Sequence, residues 1–326
     1  MELKYEVLTL LRENPGEFLS GQEIANRLSF SRTAIWKAIN RLKEEGYSIE
    51  SIGSKGYRLW QDEDALSCEQ IKRELKEEYQ GIPIEVYRQL DSTNTCAKLK
   101  AIEGALHGSV ILAEEQTKGR GRFGRSFYSP KGTGLYMSLI LRPTIELKQS
   151  VHVTMYIAVL ICRVLERFTN QRLQIKWVND IYLGDKKIGG ILTEAVTDVE
   201  SKQVQYMILG IGLNIKTEDF PGELDKIATS LNPVGVTRNQ LCAALLNEIL
   251  PVSEYFTIDE EILCEYKRRS NVLGQRAVFF KKQQRFEGMA EDIDETGGLV
   301  VHLTTGEVET LHSGEISIQR QTTVDE

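Results

Sequence analysis

The sequence predicts an α+β chain in three parts, and three observations carry that prediction. Residues 1–64 read as three short amphipathic helices followed by a hairpin. From Ile84 onward strands and helices alternate with no internal repeat, and residues 272–326 return to short strands closed by tight turns. With 326 residues, 41% of them hydrophobic and 27% charged, the chain has ample apolar content for packed cores and too much for disorder. No apolar run nears the ~20 residues that cross a bilayer. The first residues carry Glu2, Lys4 and Glu6 rather than a basic leader, so no Sec-type signal is expected. Five scattered cysteines, never in a CxxC pair, argue against a disulfide framework or zinc finger and for a reducing, cytoplasmic setting. The balance of 40 Lys and Arg against 47 Asp and Glu, net −7, argues against a chain coated in nucleic acid. It leaves room for a local basic face.

In the first part, Val7, Leu10 and Leu11 give a helical apolar stripe. Ser20 followed by Glu23 fits a capping box opening a second helix through Ile24, Ala25 and Leu28. Ser31 can cap a third, with Ile35, Ala38, Ile39 and Leu42 as its buried face and Gly46 as its stop. Strands over 47–52 and 57–59 flank a turn at 53–56. Two helices joined by a tight turn and followed by a β-wing form a winged helix-turn-helix. Its third helix presents Arg32, Thr33, Trp36, Lys37, Asn40 and Arg41 away from the apolar stripe, with four basic residues and no acid between Ser31 and Lys43. Such cations neutralise phosphates, the helix N-terminus reaches base edges, and Lys55 at the wing tip meets an adjacent phosphate. A DNA-binding role for Ser31, Arg32, Thr33, Trp36, Lys37, Arg41 and Lys55 outweighs a merely solvated face.

The acidic stretch 61–65 marks a boundary. Beyond it a helix is expected over 68–79, strands over 85–90, 110–114, 135–141, 173–177, 188–194 and 204–213, and helices over 149–168, 237–256 and 259–269. Hairpin neighbours at 182–183 and 188–193 require a mixed or antiparallel sheet. The segment Gly119-Arg120-Gly121-Arg122-Phe123-Gly124-Arg125 interleaves glycines, whose amides approach a ligand closely, with guanidinium forks suited to phosphate or carboxylate. It is neither a Walker loop nor a GxGxxG opening a Rossmann helix, and its place between strands favours an anion clamp over an RNA-contacting RGG tract. Lys176-Trp177-Val178-Asn179-Asp180, followed by Lys186-Lys187-Ile188-Gly189-Gly190, reads equally as a surface ion pair or as a magnesium-nucleotide site. The four histidines show no metal-ligand spacing, so no protein metal site is expected. Strands at 277–280, 285–290, 299–303 and 308–311 suggest a small SH3-like barrel.

Taken in order, these motifs resemble those of the bacterial bifunctional biotin–protein ligase and biotin-operon repressor family (the BirA type), and the likeness spans essentially the whole chain. GRGRFGRSFYSP is similar to the family's GRGRxGRxWxSP loop, KWVND to its KWPND, and KKIGGIL and GIGLNI to the strands that follow. Asp91-Ser92-Thr93-Asn94 matches its DSTN segment. The resemblance implies a winged helix (1–64), a mixed-sheet α/β ligase domain (65–271) and an SH3-like domain (272–326). It implies ATP, Mg2+ and biotin, with biotinyl-5′-AMP as both intermediate and corepressor. Biotin would sit against Ser92, Thr93, Asn94, Gln116, Arg120, Gly121, Arg122 and Lys187. The nucleotide would meet Arg122, Arg125, Phe127, Lys176, Asn179 and Asn214, and Lys187, Arg122 and Asp180 would serve the chemistry. A second segment, around 216–222, would order over the adenylate. The implied partners are a biotin carboxyl-carrier protein, operator DNA and, with adenylate bound, a second copy of the chain. Three positions depart from the family pattern: Phe127 stands for a tryptophan, Val178 for a proline and Phe123 for an arginine found in some members. The rivals are a ligand-sensing transcription factor without catalysis, a lipoate ligase, and a biotin ligase whose N-terminal domain no longer regulates. Intact Lys187, Asp180 and loop arginines speak against the first, and the winged helix against the second.

Overall fold

The computed structural model describes residues 3–319 except 15, 45, 46, 48, 54, 60–63, 147, 148, 199, 201, 202, 257, 258, 282, 283, 313 and 315. Its contacts divide the chain into two units, Met1–Ala65 and Leu66–Glu326.

In the first unit, helices α1 (Leu3–Glu13), α2 (Gly21–Leu28) and α3 (Arg32–Glu44) precede a hairpin of β1 (Ile49–Ile52) and β2 (Gly56–Leu59). The expected stripes meet in one cluster: Val7 and Leu11 from α1, Ile24 from α2, and Ile35, Ile39 and Leu42 from α3. Ser31 caps α3, accepting from Ala34 N at 3.2 Å. At α2 only half of the capping box forms. Ser20 Oγ accepts from Glu23 N at 3.1 Å, but the Glu23 carboxylate turns to Arg27 one helical turn on, at 2.7 Å. The strand β2 starts on Gly56, at φ +106°, where a Cβ would strike the Leu19 carbonyl oxygen that binds Tyr57 N at 2.8 Å. The helix stop at Gly46 and the linker residues 61–63 lie outside the described residues.

The second unit is built on a seven-stranded sheet of order β3-β4-β5-β9-β8-β7-β6. In chain order its elements are α4 (Cys68–Glu74), β3 (Ile84–Tyr87), α5 (Thr93–Ile102), β4 (Ser109–Ala113), β5 (Gly134–Leu141), α6 (Ser150–Glu166), β6 (Leu173–Lys176), β7 (Asp180–Leu183), β8 (Lys186–Thr197), β9 (Val204–Asn214), α7 (Leu224–Ile227), α8 (Arg238–Ile249) and α9 (Glu260–Arg269). Only β3 and β4 run parallel, so the sheet is mixed, as the hairpin spacing requires. Every residue of β4 and β5 is buried, because both faces are covered. Met137, Leu209 and Ile211 point into the cluster shared with α4, α6, α8 and α9, while Ile111, Ile140 and Ile208 point to Ala97 and Ala101 of α5. The chain ends in β10 (Arg276–Lys281), β11 (Gln284–Ile293), β12 (Leu299–Leu303), β13 (Val308–Leu311) and β14 (Ile316–Gln319), an antiparallel sheet of order β13-β12-β11-β10-β14. Its Ala277, Phe279, Ala290 and Val301 join the core of the larger sheet.

Several elements differ from the sequence expectation. The helix expected over 68–79 stops at Glu74, where Asn247 of α8 donates to Glu74 O at 3.0 Å and accepts from Lys76 N at 2.9 Å. The helix expected to reach 256 ends at Ile249 in a 3₁₀ turn holding Pro251, which has no N–H to continue it. Strands expected to reach 90 and 177 end at Tyr87 and Lys176. The helix α5 was not expected, although Ser92 caps it by accepting from Thr95 N at 3.4 Å and Ala97 and Ala101 give it an i,i+4 apolar pair. Neither α7 nor β14 was expected.

Candidate functional site

A cavity of about 640 Å³ opens in the second unit over the middle of the sheet. The floor begins where α5 starts. Thr93 donates from N and Oγ1 to Gln116 Oε1, at 2.8 and 3.1 Å, and Gln116 Nε2 donates to Ser129 Oγ at 2.9 Å. The Ser138 hydroxyl donates to Asn94 Oδ1 at 2.7 Å and sits 2.8 Å from Thr93 Oγ1. Ser92, Thr93 and Asn94 are buried, so a run of small polar groups is held pre-organised against a strand otherwise apolar.

The glycine loop closes one side, and it is not an irregular coil. Backbone bonds Gln116 N to Ser129 O (3.1 Å), Phe127 N to Gly119 O (2.8 Å) and Gly121 N to Arg125 O (2.7 Å) make it a narrow ribbon. Its tip, Arg122–Gly124, turns through positive φ at Phe123 (55°) and Gly124 (75°). At Gly119 a Cβ would collide with the Phe127 carbonyl oxygen, so the two arms meet only because that position is glycine. The arginines are tied down from outside the loop: Arg122 donates to Asn179 Oδ1 at 3.3 Å, and Arg120 lies 3.6 Å from the Glu194 carboxylate.

The opposite wall comes from the turn between β6 and β7, where the Trp177–Val178 peptide is cis, and from β8. Asn179 is clamped to Ile191 in both directions, donating from Nδ2 at 2.8 Å and accepting on its carbonyl oxygen at 2.9 Å. Asp180 Oδ1 accepts from Lys187 Nζ at 2.7 Å, with the two side chains 24% and 31% exposed. They face each other across the β7–β8 pair, where Gly190 leaves room: a Cβ there would stand 3.1 Å from Asp180 Oδ1 and 3.3 Å from Lys187 Nζ. At the far end, Asn214 donates to Thr229 O at 3.3 Å while its buried Oδ1 has no hydrogen-bond partner among the described residues. The Phe127 ring rests against Gly212, whose missing side chain would otherwise meet it at 2.8 Å, and edge-on to Tyr136 at 6.4 Å. Burial pushes the Tyr136 phenol far up, so it stays protonated and donates to Pro130 O at 3.1 Å.

All the residues singled out from the sequence as biotin, nucleotide or catalytic groups line this one cavity: Ser92, Thr93, Asn94, Gln116, Arg120, Gly121, Arg122, Arg125, Phe127, Lys176, Asn179, Asp180, Lys187 and Asn214. Phe220, Leu224 and Ile227 add a wall from the segment after β9, and Phe220 lies 6.3 Å from Tyr128. The described lining carries Arg120, Arg122, Arg125, Lys176 and Lys187 against one acid, Asp180. A chain of net charge −7 thus builds a cationic pocket. A polyanion carrying an apolar end would fit it. Sequence reasoning missed Ser138, Gly210, Gly212 and Glu194, whereas Gly190 was picked out with Gly189 as a point of close backbone approach. The alternation of glycines in Gly210-Ile211-Gly212 was a signal for close approach on one strand face, whereas Ser138 and Glu194 gave none.

In the first unit, Ser31, Arg32, Thr33, Trp36, Lys37, Arg41 and Lys55 are all exposed, Trp36 by 55%. Arg32, Thr33 and Trp36 line a groove of about 530 Å³ with Ser51, Gly53 and Tyr57 of the wing. Ser31 is already engaged as the α3 cap, and Lys55 stands 5.8 Å over the Phe18 ring.

Comparisons with known proteins align with both regions. Residues 4–58 match a helix-turn-helix domain, 85–214 the biotin/lipoate A/B protein ligase family and 273–318 the biotin protein ligase C-terminal domain. The bifunctional ligase/repressor BirA of Bacillus subtilis is 40% identical over 232 residues, covering 71% of each chain. The protein of the same name from Escherichia coli is 29% identical over 311 residues, covering 93% of this chain and 94% of its own. Among solved structures, the biotin protein ligase of Aquifex aeolicus in complex with biotin and ATP superposes with a TM-score of 0.61 at 26% identity, over 73% of this chain and 99% of that one.

Proposed function

This chain belongs to the bifunctional biotin ligase/repressor family, and from that premise we propose how its own residues carry out ligation and repression. It is an ATP-dependent biotin–protein ligase. In the first half-reaction the biotin carboxylate attacks the α-phosphorus of ATP, forming biotinyl-5′-AMP and releasing pyrophosphate. In the second, the neutral ε-amine of a lysine on a biotin carboxyl-carrier protein attacks the mixed anhydride and releases AMP. Neither step needs a protein nucleophile, so the chain has to supply position and charge neutralisation.

The observation that carries this reading is the cationic cavity with the Asp180–Lys187 pair on its wall. Ser92, Thr93 and Gln116 hold the ring end of biotin, with Arg120, Gly121 and Arg122 folded over it. Lys187 faces the meeting point of carboxylate and α-phosphate and neutralises charge as the new bond forms. Asp180 fixes the Lys187 ammonium by their 2.7 Å contact. At the adenine end, Asn214 Oδ1, buried and without a partner among the described residues, accepts from the exocyclic amine, and Phe127 stacks on the ring. Arg125, Lys176 and Asn179 face the phosphates. Asp180 is the one carboxylate of the described lining, which suits a magnesium ion that arrives with the phosphates and keeps most of its waters. Bound there, magnesium would draw charge from the phosphate oxygens.

The winged helix makes the same chain a repressor. Beyond Gly190, β8 has β9 on one side and no described strand on the other, leaving residues 192–197 as an open edge. Two such edges can pair about a two-fold axis and bring two winged helices to a palindromic operator when the adenylate is bound. The decisive experiment incubates the protein with ATP, magnesium, biotin and an apo carrier domain, then weighs the carrier. We expect a gain of one biotinyl group, dependent on ATP, and biotin-dependent pyrophosphate exchange without the carrier. Absence of both would leave a sensor rather than a ligase.

A further inference from the structure

Glu194 does not line the cavity, yet it touches two elements that do. It stands on β8, and one carboxylate oxygen, Oε2, accepts from Asn94 Nδ2 at 2.9 Å. The other, Oε1, lies 3.6 Å from the Arg120 guanidinium. Asn94 is itself fully engaged. Its Oδ1 accepts from Ser138, and its Nδ2 serves Glu194 and approaches Leu192 O at 3.4 Å. The fit is close on the remaining side too, because a Cβ on Gly210 would fall on Asn94 Oδ1. Asn94 therefore has little left to offer a ligand. What it does offer is a fixed anchor for one half of the Glu194 carboxylate.

The other half is aimed at the root of the glycine loop. Arg120 bridges to Ser126 across the ribbon and is 48% exposed, so its distance from Glu194 decides where the loop stem stands over the sheet. An exposed ion pair of this kind is weak when it stands alone. This one has a carboxylate already immobilised from behind, and a ligand beneath the loop excludes water from it, which strengthens the attraction. Arg122 has a parallel tether in Asn179, so the loop is held at two points by two different parts of the sheet.

We propose that Glu194 is a positioning residue for biotin binding: braced by Asn94, it holds Arg120 and thereby sets the closed placement of the glycine loop. The inference rests on the ligase reading and deepens it, reassigning Asn94 from ligand contact to strut. The test is a cycle of Glu194→Gln, Arg120→Ala and the double variant in the full-length protein. Biotin KM and kcat in pyrophosphate exchange give one readout, and tryptic cleavage after Arg122 and Arg125 in ligand-free protein, mapped by mass, gives a second. Glu194→Gln keeps an acceptor for Asn94 and removes only the charge facing Arg120. We expect it to raise biotin KM on the order of tenfold and to leave kcat within about twofold. The ligand-free loop should also be cut faster. The double variant should be no worse than Arg120→Ala alone, because both changes break one contact. Arg120→Ala leaves Asn94 and its neighbours intact, so it tests the pair even if Glu194→Gln folds poorly. Multiplying effects in the cycle, or cleavage of Glu194→Gln no faster than wild type, would overturn the proposal. Wild-type protein that fails to exchange pyrophosphate with biotin would instead overturn the ligase reading, and the cleavage comparison would still judge the tether.

Discussion

The recognition helix and the glycine loop carry the same chemistry in two mechanical forms. In α3, Arg32, Lys37 and Arg41 stand exposed on a rigid element, and none forms an ion pair among the described residues. In the loop, Arg120 and Arg122 alternate with glycines and are tethered to Glu194 and Asn179. The difference follows from the partners. DNA is a stiff polyanion met from one side, so a preformed row of cations serves and the helix can keep them free. On the proposed reading, a small reactive adenylate must be surrounded, so its cations ride on a glycine ribbon and each has a partner on the sheet that fixes its place. A basic run on a helix and a basic run among glycines are therefore different signals.

That comparison can be broken at either end, and the largest effect belongs to the cavity. Lys187→Ala removes the charge facing the developing bond and should slow biotin-dependent pyrophosphate exchange about 10²- to 10³-fold. Operator binding by the ligand-free winged helix should be unchanged in a mobility-shift assay. Next comes Arg122→Gly, which cuts the tether to Asn179 while keeping the loop. It should speed loss of biotinyl-AMP by about 10- to 100-fold, read by trapping the released adenylate, and unchanged retention would refute the closure role. Smallest is Arg32→Ala, expected to weaken operator binding by about 1 kcal/mol, roughly fivefold, with ligation unchanged. If ligation fell with it, the two basic elements would not be separable as described.

Much of this was legible in residues. The apolar stripes of α1 to α3 packed as read, because each stripe is a local 3.6-residue pattern that needs only a partner. All the cavity residues inferred from motifs line one cavity, since the motifs are short and sit at strand ends and turns where backbone and ligand meet. The helix α5 escaped notice because Ser92, Thr93 and Asn94 were read as ligand groups, whereas Ser92 is also the cap that starts the helix. The end of α4 was set by Asn247, more than 170 residues away in sequence, as the 173-residue separation of its bond to Glu74 records. No local pattern encodes such a contact.

Periodicity and caps, each written within a few neighbouring residues, were enough to specify the winged helix and most of the larger elements, and short motifs were enough to pick out the residues that line the cavity. Which charges would be buried, paired or left as struts depended on the packed structure. Arg238 reads as an ordinary helical arginine, yet it is fully buried against Glu114 at 2.8 Å and donates to Gly134 O at 3.0 Å. Glu194 reads as one more acid on a strand, yet it joins Asn94 to Arg120. Those assignments need strands β4, β5, β8 and β9 brought side by side, and a charge takes its role from what lies across the sheet rather than from what precedes it in the chain.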